Sequence, residues 1–151
     1  MAAHNVTWVD APPERVFAVL ADPWAYEDWV VGARRVRGAD PGWPDLGTVF
    51  HHEVGAGPLR VRDHTQVVDV EPPRRLVLRA HARPLGTGLV RLEIAPEGSG
   101  SRVEMTEGPG GTLTRLLWSR VGDALVHRRN DLALRRLKAL VEAGGRAGAR
   151  R

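Results

Sequence analysis

The sequence predicts an α+β domain in which an antiparallel meander of strands packs against one long C-terminal helix. Three observations predict it. Between Val31 and Glu107, apolar and polar residues alternate with period two, and turn signals interrupt them at regular spacing. From Thr112 to about Ala143 the chain carries no proline, and it enters that stretch through a breaker, Gly108-Pro109-Gly110-Gly111. Ahead of the meander, two helix starts follow each other directly after a short first strand.

Residues Ala3 to Val9 read as that strand, with Val6 and Trp8 on one face. Asp10-Ala11-Pro12-Pro13-Glu14 ends it and starts a helix, since proline fits a first helical turn and an acid there favours the dipole. Val16, Phe17, Val19 and Leu20 form its buried stripe. Asp22-Pro23 repeats the start signal for a second short helix through Trp24, Tyr26 and Trp29. The meander then reads as strands over 34–39, 48–54, 59–70, 76–82, 88–95 and 101–107. Pro41-Gly42-Trp43-Pro44, Gly55-Ala56-Gly57-Pro58, Glu71-Pro72-Pro73, Pro84-Leu85-Gly86 and Glu97-Gly98-Ser99-Gly100 separate them. Connections this short join antiparallel neighbours.

The final stretch opens at Thr112 as an N-cap and would make a helix roughly 45 Å long. Steps of 100° per residue put Leu116, Asp123, Val126, Asn130, Ala133, Leu137 and Val141 on one side, with Ser119 beside them. A side that is apolar at one end and polar toward the other is what a helix closing a sheet-lined cavity shows. Strand parity then assigns the inward residues: Phe50, His52 and Val54; His64, Gln66, Val68 and Val70; Leu76, Leu78 and Ala80; Val90, Leu92 and Ile94; Val103, Met105 and Glu107. A single bulge between Arg60 and His64 would reverse the facing of the strand over 59–70.

This order of elements resembles the START-related superfamily, in its polyketide cyclase/dehydrase and lipid-transport branch. The residues that carry the resemblance are Asp10-Ala11-Pro12-Pro13-Glu14-Arg15-Val16-Phe17, then Leu20-Ala21-Asp22-Pro23 with Trp29 after it. Val68, Val70-Glu71-Pro72-Pro73-Arg74-Arg75-Leu76 and Gly100-Ser101-Arg102-Val103 extend it into the sheet, so that it spans roughly Ala3 to Glu142. The resemblance implies a helix-grip fold: a curved antiparallel sheet of about seven strands wrapped around the C-terminal helix, with an interior cavity for an apolar ligand. It implies a carrier or sensor of a lipid, quinone or polyketide-like molecule. Related branches are polyketide aromatase/cyclases or dehydratases and protein-partner co-activators. Its motifs mark turns and helix starts, so it transfers no catalytic residue.

Taken together, the faces and the resemblance nominate a ligand site of Trp29, Phe50, His52, His64, Gln66, Leu78, Leu92, Met105, Glu107, Trp118, Val126 and Asn130. Apolar walls would supply affinity and the few polar groups orientation. Burying roughly 300 Å² of apolar ligand surface would contribute on the order of 7 kcal/mol before entropic costs. In a cyclase, His64, Glu107 and Asn130 would form the polar set, with Glu107 and His64 sharing a proton as an acid/base couple. The competing reading puts Glu107 at the mouth, paired with an arginine such as Arg129 or facing water. Trp29 is equally a core residue, and Asn130 equally a satisfied core amide.

Several function classes are excluded or disfavoured. The absence of cysteine removes disulfides, thiolate metal sites and cysteine nucleophiles. His51-His52 sit on opposite faces of one strand and no HExxH spacing occurs, so no metal and no cofactor are expected. Serine occurs only at Ser99, Ser101 and Ser119, which argues against a Ser-His-Asp hydrolase. Arg146, Arg150 and Arg151 supply three of the four units of net positive charge, so no folded basic face for nucleic acid is expected. A composition of 42% hydrophobic and 26% charged residues fits one globular domain over residues 1–143, with a disordered basic tail over 144–151. No run is apolar enough for membrane insertion, and Met1-Ala2-Ala3-His4-Asn5 lacks the marks of a signal peptide. A cytoplasmic monomer or homodimer is therefore expected, with a small hydrophobic ligand as its partner.

Overall fold

The computed structural model describes residues 3–31, 33–56, 58–81, 87–109 and 120–144. In chain order these form β1 (Ala3–Val9), α1 (Pro13–Leu20), a 3-10 turn (Pro23–Ala25), α2 (Tyr26–Trp29), β2 (Ala33–Ala39) and β3 (Val49–Ala56). There follow β4 (Leu59–Glu71), β5 (Arg75–His81), β6 (Thr87–Glu97), β7 (Gly100–Pro109) and α3 (Arg120–Glu142). The expected N-cap at Thr112, Leu116, Trp118, Ser119, the turn at Pro84-Leu85-Gly86 and the tail beyond Gly144 lie outside the described residues. So do the side chains of Val54 and Asp123.

All seven strands join one antiparallel sheet in the order β1-β7-β6-β5-β4-β3-β2. Six of them form a meander in sequence order, as the short turns dictate, and β1 pairs with β7 at the far edge. The chain leaves β1 at one edge and enters β2 at the other, about 29 Å away at ~4.8 Å per strand spacing. The two helices and the 3-10 turn make that crossing. Pro13 opens α1 at a position where a missing N–H costs nothing, and the Asp22 carboxylate caps the 3-10 turn by accepting the Trp24 N–H at 3.0 Å. This is the helix-grip fold, with α3 packed against β1, α1 and α2.

The core joins the apolar face of the sheet to the helices: Val16 and Leu20 of α1, Leu76, Leu92, Ile94 and Val103 of the sheet, and Leu134, Leu137 and Val141 of α3. Asn130, Ala133, Leu137 and Val141 are buried, as the helical period requires, and Leu134 joins them. At the β2–β3 end, Tyr26, Trp29, Trp43 and Phe50 form an aromatic cluster with ring centroids 4.8–6.1 Å apart.

β4 departs from simple alternation. Val67 pairs with Leu78 and Asp69 with Val77, which leaves Val68 as the extra residue of a β-bulge. C-terminal to it, Val70 pairs with Leu76 and shares its inward facing. N-terminal to it, Thr65 and Val67 take the inward positions, opposite Ala80 and Leu78. The expectation that His64 and Gln66 face inward is therefore corrected. One extra residue in a period-two structure reverses the facing of everything on one side of it.

None of the described helices is long and apolar enough to cross a membrane.

Candidate functional site

Cross-strand register gathers the inward residues. Phe50 pairs with Thr65, His52 with Asp63, Leu76 with Leu92, Leu92 with Met105, Val90 with Glu107, and Met105 with Asn5. Phe50, His52, Leu78, Leu92, Met105, Glu107 and Asn130 are all buried, and Val126 is half-buried. Most of the surface they form is apolar. Its polar groups fall in two clusters.

The first joins β1, β7 and α3. The Arg129 guanidinium forms an ion pair with the Glu107 carboxylate and also donates to Asn130 Oδ1, at 3.2 Å from Nη2 and 3.3 Å from Nε. Asn130 is 1% exposed, yet its Nδ2 has no hydrogen-bond partner. Asn5 donates from Nδ2 to the His127 carbonyl at 3.0 Å, and its Oδ1 is also buried without a partner. Gly88 lies beside this cluster, where an added Cβ would come within 3.4 Å of Glu107 Oε2. Glu107 is thus paired with Arg129.

The second cluster lies on β3 and β4. His52 Nε2 and Thr65 Oγ1 are 2.9 Å apart, and the His52 ring is 5.2 Å from that of Phe50. Burial pushes the His52 pKa down to about 4, against the opposing pull of the Asp63 carboxylate, so the imidazole is neutral near pH 7. Its Nδ1 is buried and has no partner.

The remaining nominated residues are placed differently. Trp29 is 1% exposed and packs at 5.0 Å on Tyr26, inside the aromatic cluster. His64 and Gln66 lie on the opposite face of the sheet: His64 stacks on His81, and Gln66 donates to the Gly47 carbonyl at 3.3 Å. An acid/base couple of His64 with Glu107 therefore does not form. Trp118 lies outside the described residues. Sequence reasoning missed Asn5 and Thr65. Asn5 was findable as a polar residue sharing strand parity with Ala3, whereas Thr65 was hidden by the bulge. A solvent-open hollow of about 450 Å³ along α3, lined by His127, Arg128, Asp131, Leu132 and Arg135, includes none of the nominated residues.

A family model described as polyketide cyclase / dehydrase and lipid transport matches residues 3–142. No curated protein matches the chain significantly. Among solved structures, protein NE0264 from Nitrosomonas europaea superimposes with a TM-score of 0.73 at 15% identity, covering 95% of this chain and 96% of that one. TTHA0849 from Thermus thermophilus gives 0.71 at 20% identity, with 95% and 99% covered. The Aha1 dimer from Colwellia psychrerythraea gives 0.69 at 14% identity, with 95% and 98% covered. At these identities the structural likenesses speak for the fold alone.

Proposed function

The chain belongs to the polyketide cyclase / dehydrase and lipid transport family of the START-related superfamily, and on that premise we propose that it binds a small hydrophobic or aromatic molecule between the sheet and α3. In this reading it acts as a carrier or sensor of a lipid, quinone or polyketide-like compound, without catalysis. The observation that carries the reading is a set of orphaned polar atoms on a mostly apolar face: Asn130 Nδ2, Asn5 Oδ1 and His52 Nδ1. Leaving such a group unpaired costs about 1–3 kcal/mol. A mostly apolar ligand with a few polar atoms offsets that cost when it binds, and its frame matches the surrounding Leu, Met and Phe side chains.

The aromatase/cyclase or dehydratase alternative has less support. It needs a proton donor or acceptor at the apolar face, but Glu107 is held by Arg129 and His64 is on the other side of the sheet. His52 is the remaining imidazole on that face, bonded to Thr65.

Native mass spectrometry of the purified full chain, followed by denaturation and analysis of released small molecules, tests the proposal. A released apolar compound, or a raised melting temperature with quinones, fatty acids or fused aromatic polyketides, is the expected result. A bare mass together with no shift across that panel would overturn it.

A further inference from the structure

The outer face of the sheet carries a row of histidines. His51 on β3 pairs with His64 on β4, their ring centroids 6.4 Å apart. His64 in turn stacks on His81 of β5, with centroids 4.1 Å apart and planes 26° from parallel. Asp63 reaches this group from the other side of the strand: it pairs with the inward His52 and its side chain is 1% exposed. Its Oδ1 accepts the His64 main-chain N–H at 2.9 Å and lies 3.5 Å from His64 Nδ1. One ligating atom from each of Asp63, His64 and His81 lies within 4.8 Å of the other two.

We propose that Asp63, His64 and His81 form a binding site for a first-row divalent transition cation, zinc foremost, clasping β4 to β5. The donor set argues for that class. Two imidazoles and one carboxylate suit zinc and its neighbours, whereas calcium and magnesium take oxygen ligands. The spacing agrees as well. Zinc bonds of about 2.0–2.2 Å in a tetrahedron put ligand atoms roughly 3.3–3.5 Å apart. The Asp63–His64 pair already has that separation, and side-chain rotation of His81 closes the rest.

The surroundings favour pre-organisation. Pairing with β3 fixes the backbone of Asp63 and His64 and pairing with β6 that of His81, and the His64 N–H orients the Asp63 carboxylate as an outer hydrogen bond orients a metal ligand. His81 Nδ1 is buried without a hydrogen-bond partner, so no protein donor occupies its lone pair. Access comes from the solvent side. The His64 side chain is 41% exposed. Three protein ligands leave a fourth position for water or, after rotation, for His51. The expectation of no metal rested on His51-His52 facing opposite ways; this site takes its imidazoles from two neighbouring strands instead.

The test is calorimetric titration of zinc chloride into tag-free, chelator-stripped full-length protein, with magnesium and calcium as controls. One equivalent of zinc should bind with a dissociation constant in the micromolar range or below and raise the melting temperature. His64→Ala and His81→Ala should each weaken binding by more than about 100-fold, beyond the ~10–100-fold that losing an outer partner costs. His4→Ala and His127→Ala should change nothing. Should the ligand variants fail to fold, cobalt(II) added to the wild-type protein decides: intense visible d–d bands at one equivalent support the site, and the weak spectrum of hexa-aqua cobalt overturns it. Absence of zinc binding, or binding that persists undiminished in folded His64→Ala and His81→Ala, also overturns it.

Discussion

Arg129 on α3 and Glu107 on β7 form an ion pair, and through it the helix is tied to the sheet beside the strand pair that closes the fold. The Glu107 side chain is 10% exposed and the Arg129 side chain 40% exposed. Arg129 therefore serves a group that folding has largely removed from water, and its own charge stays partly hydrated. The same guanidinium holds Asn130 Oδ1, which leaves Asn130 Nδ2 as the end of that side chain without a partner.

Removing the cation should cost more than removing the pair. Arg129→Ala leaves Glu107 buried and unpaired, for an expected loss of about 1–3 kcal/mol. Arg129→Ala combined with Glu107→Gln should recover part of that loss. Urea denaturation of both variants, at unchanged slope, measures it. A double variant less stable than the single one would mean that Arg129 contributes through packing instead.

Asn130→Leu separates stability from binding. The substitution removes an amide with one orphaned end from a buried helix position, so the melting temperature should hold or rise. If the amide anchors a ligand, affinity for any compound identified by mass spectrometry should fall about 10-fold, or roughly 1.4 kcal/mol. Unchanged affinity would remove Asn130 from the site.

His52 gives the fold an acid-sensitive window. Its pKa is lowered from 6.5 to about 4 in the folded protein, so between those values the unfolded chain binds more protons than the native one. This contribution to stability is complete above pH 6.5, is lost progressively as the pH falls toward 4, and changes no further below that. The loss should be on the order of 3 kcal/mol. Thermal melts of wild type and His52→Gln in chelator-containing buffers would show it as a slope in the wild type that flattens in the variant.

The bulge in β4 makes neighbouring residues unequal. Val67 is 1% exposed and faces the core, so Val67→Asp should destabilise by more than about 3 kcal/mol. Gln66 lies on the other face, and Gln66→Asp should stay within roughly 1 kcal/mol of wild type. Chemical denaturation of the two variants decides between this facing and unbroken alternation, which predicts the opposite ranking.

A close backbone approach makes Gly100 irreplaceable. An added Cβ would sit 2.2 Å from the Val9 carbonyl oxygen and 2.7 Å from the Trp8 ring. Gly100→Ala must therefore push β7 away from β1 or displace Trp8, whose Nε1 donates to the Glu97 carbonyl at 3.0 Å. A drop in melting temperature of several degrees is expected, with loss of the native tryptophan fluorescence signal.

By itself the sequence determined the number and order of the strands, the two short helices and the inward face of the last helix from Asn130 to Val141. Each of these rests on a local signal. Proline and glycine punctuate the meander, alternation marks Leu76 to Ala80 and Leu92 to Ile94, and the 3.6-residue period aligns Asn130, Ala133, Leu137 and Val141. Only the tertiary structure decided which polar side chains meet. No glycine or proline marks the bulge at Val68, and an extra residue there becomes visible only once β4 is paired with β5. That one residue moved His64 from the predicted ligand face to the outer row with His81 and brought Thr65 inward beside His52. The pairing of Arg129 with Glu107 is of the same kind: it joins residues far apart in the chain, and the docking of α3 against β1 brings them together.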